Sequence, residues 1–144
     1  MRNKIAALVA TTAFVAGGTL MTATSASATV DPPGGSWDHT WKTTDANKGG
    51  TVYVEENGDV VSVCDSAADG LSARADIAVE ESSVPGAYDT RYTLVASGGL
   101  GSCATARASD GGTHDLPEHV NIGVTVFLGP DYQHASEHYY LNDH

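Results

Sequence analysis

The stretch TVYVEENGDVVSVC, Thr51 to Cys64, decides the fold. Two runs rich in β-branched residues flank Asn57-Gly58, a pair that favours a tight hairpin because a type I′ turn needs positive φ at both central positions. With the turn placed there, Val52 faces Val63 and Val54 faces Val61, so one side of the hairpin is apolar. The other side carries Tyr53, Glu55, Val60, Ser62 and Cys64. A cysteine on that side poses a choice. Either a bulge turns Cys64 inward, or a bridge made by it lies off the main core.

Working outward, the loop Asp65 to Gly70 leads into Ala73 to Val79, where Ala73, Ala75, Ile77 and Val79 alternate with polar neighbours as a half-buried strand does. Val84-Pro85-Gly86 marks a turn, and Arg91 to Ala96 alternates again with Tyr92 and Leu94 inward. Ser102 to Ala108 is a weaker strand around Cys103, followed by a polar loop from Ser109 to Pro117. The clearest alternation is Val120, Ile122, Val124, Val126 and Leu128, interleaved with Asn121, Gly123, Thr125 and Phe127, which predicts a central strand. Gly129-Pro130 stops it, and Ala135 to Leu141 is expected to return as a last strand. Seven or eight short strands with Gly-rich turns predict an all-β chain, an antiparallel β-sandwich of immunoglobulin-like architecture with one disulfide. A small closed β-barrel is the alternative. The tryptophan between two cysteines that marks true immunoglobulin domains is missing, since Trp37 and Trp41 both precede Cys64.

The amino-terminal residues read differently. Arg2 and Lys4 precede an apolar run from Ile5 to Val15, Gly17-Gly18 breaks it, and Ala26-Ser27-Ala28 offers a small-residue cleavage site, the order of a secretory signal peptide. The run is too short for a membrane span, which needs about 20 apolar residues. The domain reading is therefore a signal peptide over 1–28, a flexible lead-in over 29–36 containing Pro32-Pro33-Gly34-Gly35, and a single β domain over 37–144. Export predicts that Cys64 and Cys103 pair, because disulfides persist outside the cytosol. The whole chain carries 7 cations and 18 acids. Cleavage removes Arg2 and Lys4 but no acid, leaving a formal charge of −13 by that count. Such a field repels phosphate backbones and anionic lipid, so neither nucleic acid nor membrane is expected as a partner.

The candidates for chemistry are few. His134 and His138 stand four apart, a spacing that chelates on a helix. On a strand their positions are about 13 Å apart, too far to share one ion. Asp65 and Asp69 flank a loop ending in Gly70 that has some features of a calcium loop, but Ala67 occupies a ligand slot. Both carboxylates are expected instead to shape the turn through hydrogen bonds to the backbone. No metal and no cofactor is expected. No Gly-x-Ser-x-Gly elbow occurs, and a paired Cys64 and Cys103 cannot supply a nucleophile. The aromatic residues Trp37, Trp41, Tyr132, Tyr139 and Tyr140 cluster towards the two ends, and would make a binding patch if those ends share a sheet.

The stretch GGTVYVEENGDVVSVCDSAADGLSARADI, Gly49 to Ile77, resembles a segment of small secreted proteins of actinomycete type, with its Gly-Asp-Val-Val strand running into Cys-Asp and a short Ala-Asp-Gly loop. That resemblance implies secretion and a β fold, and no activity. A second likeness is to lactococcin-972-type bacteriocins: Gly34-Gly35-Ser36-Trp37 is similar to the start of their mature part, and Tyr139-Tyr140 to their paired tyrosine. The expected function is a secreted, non-enzymatic β-sandwich that binds an extracellular protein or glycan. A bacteriocin-like toxin is the alternative reading, and a small secreted hydrolase the third.

Overall fold

The computed structural model describes Pro32 and residues 35–144. The expected leader over 1–28, and most of the lead-in over 29–36, lie outside the described residues. The chain forms eight strands: β1 (His39–Lys42), β2 (Gly50–Glu55), β3 (Val60–Asp65), β4 (Ala73–Glu80), β5 (Tyr88–Ala96), β6 (Cys103–Ala106), β7 (Val120–Leu128) and β8 (Gln133–Asn142). The only helical pieces among the described residues are two 3-10 turns, Ala108–Asp110 and Gly112–His114. None is long and apolar enough to cross a membrane.

Two antiparallel four-stranded sheets result, in the orders β1-β2-β3-β6 and β5-β4-β7-β8, and neither closes on itself. The architecture is the expected sandwich. Its strand order is its own: three consecutive strands meander in the first sheet and β6 is added beside β3, whereas the immunoglobulin order places the first, second, fifth and fourth strands together.

Side chains alternate across a strand, so one face of each sheet can be wholly apolar. Val52 and Val54 of β2 and Val61 and Val63 of β3 form that face in the first sheet. They meet Ala73, Ala75, Ile77 and Val79 of β4 and Ile122, Val124, Val126 and Leu128 of β7. Within the second sheet the small and large residues complement one another, with Ala73 opposite Leu128 and Ala75 opposite Val126. Each valine, isoleucine or leucine so buried contributes about 1.5–3 kcal/mol.

The hairpin β2–β3 has the register read from the sequence, Val52 opposite Val63 and Val54 opposite Val61. Its turn differs from the type I′ form. Positive φ falls on Gly58 and Asp59, not on Asn57, and Asp59 N–H donates to the Glu56 carbonyl at 3.1 Å. Glycine at the third position with φ near +80° defines a type II turn. The left-handed backbone of Asp59 goes with a buried side chain that accepts from Leu116 N–H (2.8 Å) and Asn142 Nδ2 (3.2 Å). The turn is thereby tied to the loop before β7 and to the end of β8.

Cys64 and Cys103 are bonded, and they sit directly opposite each other on β3 and β6 with Cα atoms 4.1 Å apart. No register shift interrupts β2–β3 or β3–β6. The bridge therefore lies on the outer face of the first sheet, in line with the Ser62–Thr105 hydroxyl pair (2.8 Å), and not in the core. A link spanning 39 residues removes chain entropy from the unfolded state worth about 4 kcal/mol. The double substitution Cys64→Ala, Cys103→Ala should lower unfolding free energy by about that amount in denaturant titrations while leaving the β-rich circular dichroism spectrum intact, because the core does not contain the bridge. A loss below about 1 kcal/mol would contradict this.

Candidate functional site: the outer face of the second sheet

Because β7 turns Val120, Ile122, Val124, Val126 and Leu128 inward, it must present Asn121, Gly123, Thr125 and Phe127 on the outer face of the second sheet. Gly123 stands opposite Ala78 on one side and Tyr139 on the other. Tyr88 of β5 reaches the same place, and its ring lies 4.8 Å from that of Tyr139, tilted by 42°. A Cβ built at Gly123 would fall 3.2 Å from Tyr88 Cδ1 and 3.4 Å from Tyr139 Cε1. A glycine in a strand rich in β-branched residues is explained by this close approach: it lets the two rings meet over the strand. Tyr139 keeps 51% of its surface exposed.

Polar groups rim this pair. Asn121 Nδ2 donates to Glu80 Oε2 at 2.6 Å, and Gly86 N–H donates to Glu80 Oε1 at 2.9 Å, which together hold the Glu80 carboxyl below its ordinary range. The Tyr139 hydroxyl hydrogen-bonds Glu137 and, with desolvation and the Glu137 charge, is pushed up to about 12. Desolvation, then Glu80 and Glu137, raise Tyr88. Both rings thus remain neutral phenols at any physiological pH.

Four residues further along β7, about 13 Å at the strand rise, a second aromatic pair occupies the same face. Tyr132 stacks on Phe127 with centroids 4.1 Å apart and planes within 17°. Phe127 is buried beneath it, while Tyr132 is 54% exposed. The Tyr132 hydroxyl donates to Asp76 Oδ2, and Thr93 Oγ1 donates to Asp76 Oδ1 (2.6 Å). Between the two pairs lies Thr125, flanked by Asp76 and Glu137. The face therefore runs aromatic, polar, aromatic along one strand.

The five aromatics expected to form a patch do not gather together. Tyr139 and Tyr132 are on this face, joined by Tyr88 and Phe127. Trp37 packs against Tyr53, centroids 5.5 Å apart, on the outer side of the first sheet. Trp41 fills the seam between β1 and β8, sandwiched by His39 (5.0 Å, 7°) and His138 (4.8 Å, 4°). Tyr140 points inward beside it and is buried. His138 also hydrogen-bonds Ser136 Oγ at 2.8 Å, and desolvation lowers its pKa. His134 is exposed and its carbonyl accepts from Thr44 N–H at 2.9 Å, well apart from the ring contacts of His138, so the two histidines serve separate purposes. Asp65 and Asp69 each accept a backbone N–H two residues on, from Ala67 (3.1 Å) and Leu71 (2.8 Å). They shape the turn.

A recess of about 540 Å³ is open and lined by Arg91, Thr113, Asp115, Leu116 and Glu118 at one end of the sandwich, and none of the four rings of the aromatic pairs lines it. No family model, no curated protein and no solved structure matches this chain.

Under the site, the buried hydroxyls of Tyr92 and Tyr140 have no hydrogen-bond partner among the described residues. Burial first, then nearby carboxylates including Asp59, raise both well above the usual value near 10. The unfolded chain therefore releases these protons first as pH rises, and stability falls above pH 10. Tyr140→Phe removes a buried hydroxyl that makes no bond, so stability at pH 8 should not fall and should rise by up to about 1–3 kcal/mol. The same variant should flatten the fall between pH 9 and 11 in denaturant midpoints.

Proposed function

We propose that this chain is an exported binding module whose outer second-sheet face holds a neutral glycan. The observation that carries the reading is the Tyr88–Tyr139 pair closed over Gly123, with half of Tyr139 open to solvent. Aromatic rings of this kind offer an apolar surface to the C–H face of a sugar, and Tyr139 does so with a hydroxyl already committed to Glu137. Glu80, Asn121 and Glu137 around it supply acceptors and a donor for sugar hydroxyls. The second pair at Phe127 and Tyr132 extends the surface along β7, which suits an elongated polymer over a compact ligand. The excess of 18 acids over 7 cations disfavours anionic polysaccharides. Export is part of the reading: the signal-like residues 1–28 and the Cys64–Cys103 bridge, which persists in an oxidising compartment, both support it.

Affinity electrophoresis of the purified protein through gels containing neutral polysaccharides tests this. At least one should retard it, and Tyr139→Ala should weaken retention about tenfold, which corresponds to about 1.4 kcal/mol. Gly123→Val, which keeps both tyrosines but drives their rings apart, should do the same. Both variants should melt within a few degrees of the parent. Retention unchanged in both variants, or no retention in any neutral polysaccharide, would rule the reading out.

A further inference from the structure

At the end of the sandwich opposite the loop of Asp65, the β2–β3 turn meets the end of β8. Glu56 opens that turn. Its backbone N–H is held by Asp38 Oδ2 at 2.8 Å, and its side chain is only 12% exposed. Its Oε1 accepts from His39 Nε2–H at 2.7 Å. The other oxygen, Oε2, faces His144 Nε2 at 4.0 Å, and His144 Nε2 lies 3.5 Å from Asp143 Oδ1. The donor atoms of Glu56, Asp143 and His144 all fall within 4.8 Å of one another.

A nearly buried carboxylate needs a compensating cation. Among the described residues neither lysine nor arginine pairs with Glu56; its only ionic partners are His39 and His144. Asp38 and Asp143 add further negative charge at the same spot. The electrostatics therefore favour an arriving cation.

The distances favour one class of cation. A tetrahedral ion with bonds of about 2.0–2.2 Å sets its ligand atoms roughly 3.3–3.6 Å apart. The spacings of 3.5 and 4.0 Å are already close to that, and Asp143 and His144 are exposed enough to close the remainder. An imidazole with two carboxylates suits zinc or a neighbouring divalent transition metal, and not calcium or magnesium, which take oxygen alone. His39 would stand behind the ligands: its N–H fixes Oε1 of Glu56 and leaves Oε2 free to bind, the usual outer partnership of histidine and carboxylate.

We infer that Glu56, Asp143 and His144 form a binding site for a zinc-class divalent cation, oriented by His39. The site is separate from the aromatic face and does not depend on the glycan reading.

Isothermal titration of the chelator-treated protein with Zn²⁺ should give one equivalent bound, and Ca²⁺ should give none. His144→Ala and Asp143→Asn, both at exposed side chains, should each weaken Zn²⁺ binding at least tenfold, while His134→Ala leaves it unchanged. Co²⁺ in place of Zn²⁺ should give a visible d–d band of tetrahedral intensity that His144→Ala abolishes. Absence of stoichiometric Zn²⁺ binding would overturn the site. So would binding that survives both His144→Ala and Asp143→Asn, since the metal would then sit elsewhere. Circular dichroism of each variant separates loss of the site from loss of the fold.

Discussion

The interlock of two aliphatic faces sets everything else in this molecule. Val52, Val54, Val61 and Val63 can be buried only against Ile77, Val79, Ile122, Val124 and their neighbours, and a slip of one residue in any ladder would turn an entire face to water. Register is thus dictated from inside. The outer faces inherit their arrangement from it: once Val63 is inward, Cys64 must be outward and opposite Cys103, and once Ile122 and Val124 are inward, Gly123 must be outward beside Tyr139.

The interior is not uniformly apolar, and one buried polar network ties distant segments together at the end of the β2–β3 turn. Asp59 reaches in from the turn, Asn142 reaches in from β8, and the backbone of Leu116 and the carbonyl of Pro117 complete a small network with them. Three chain segments far apart in sequence are held by those few bonds. Burial raises the pKa of Asp59 despite the hydrogen bonds from Leu116 and Asn142, so the network carries an electrostatic cost that the neighbouring apolar packing offsets. Along the adjacent edge, Trp41 between His39 and His138 closes the side of the sandwich with flat rings where aliphatic side chains would leave gaps.

Much of this was legible in the sequence, and the exceptions have definite causes. The hairpin register and the inward sets of β4 and β7 follow from period-two counting alone, and the counting also framed the alternative for Cys64 that the structure resolves in favour of an outer bridge. Strand β1 escaped because four residues, HTWK, are too few to establish a period. Tyr88 escaped because β5 is irregular where it pairs with Ala78: beyond that point its alternation changes phase, so counting back from Tyr92 and Leu94 assigns Tyr88 to the wrong face. The signal that could have found the site was Gly123, a glycine in the middle of the strongest strand. The Glu56, Asp143 and His144 group had no local signature at all, since Glu56 is far from the other two in sequence and only the sandwich brings them together.

An open sandwich has unpaired backbone at each of its four margins, here β1, β6, β5 and β8. Here β1 and β6 are four residues each, and β6 is bolted to its neighbour through Cys103. The β5 margin is kinked by its irregularity and carries Asp89 and Arg91. The long β8 margin begins with left-handed residues at Tyr132 and His134 and continues through Glu137 and His138. Short, kinked or charged borders are poor templates for a further strand. On the glycan reading proposed above, copies crowded along one polymer would therefore lie side by side without zippering into fibrils.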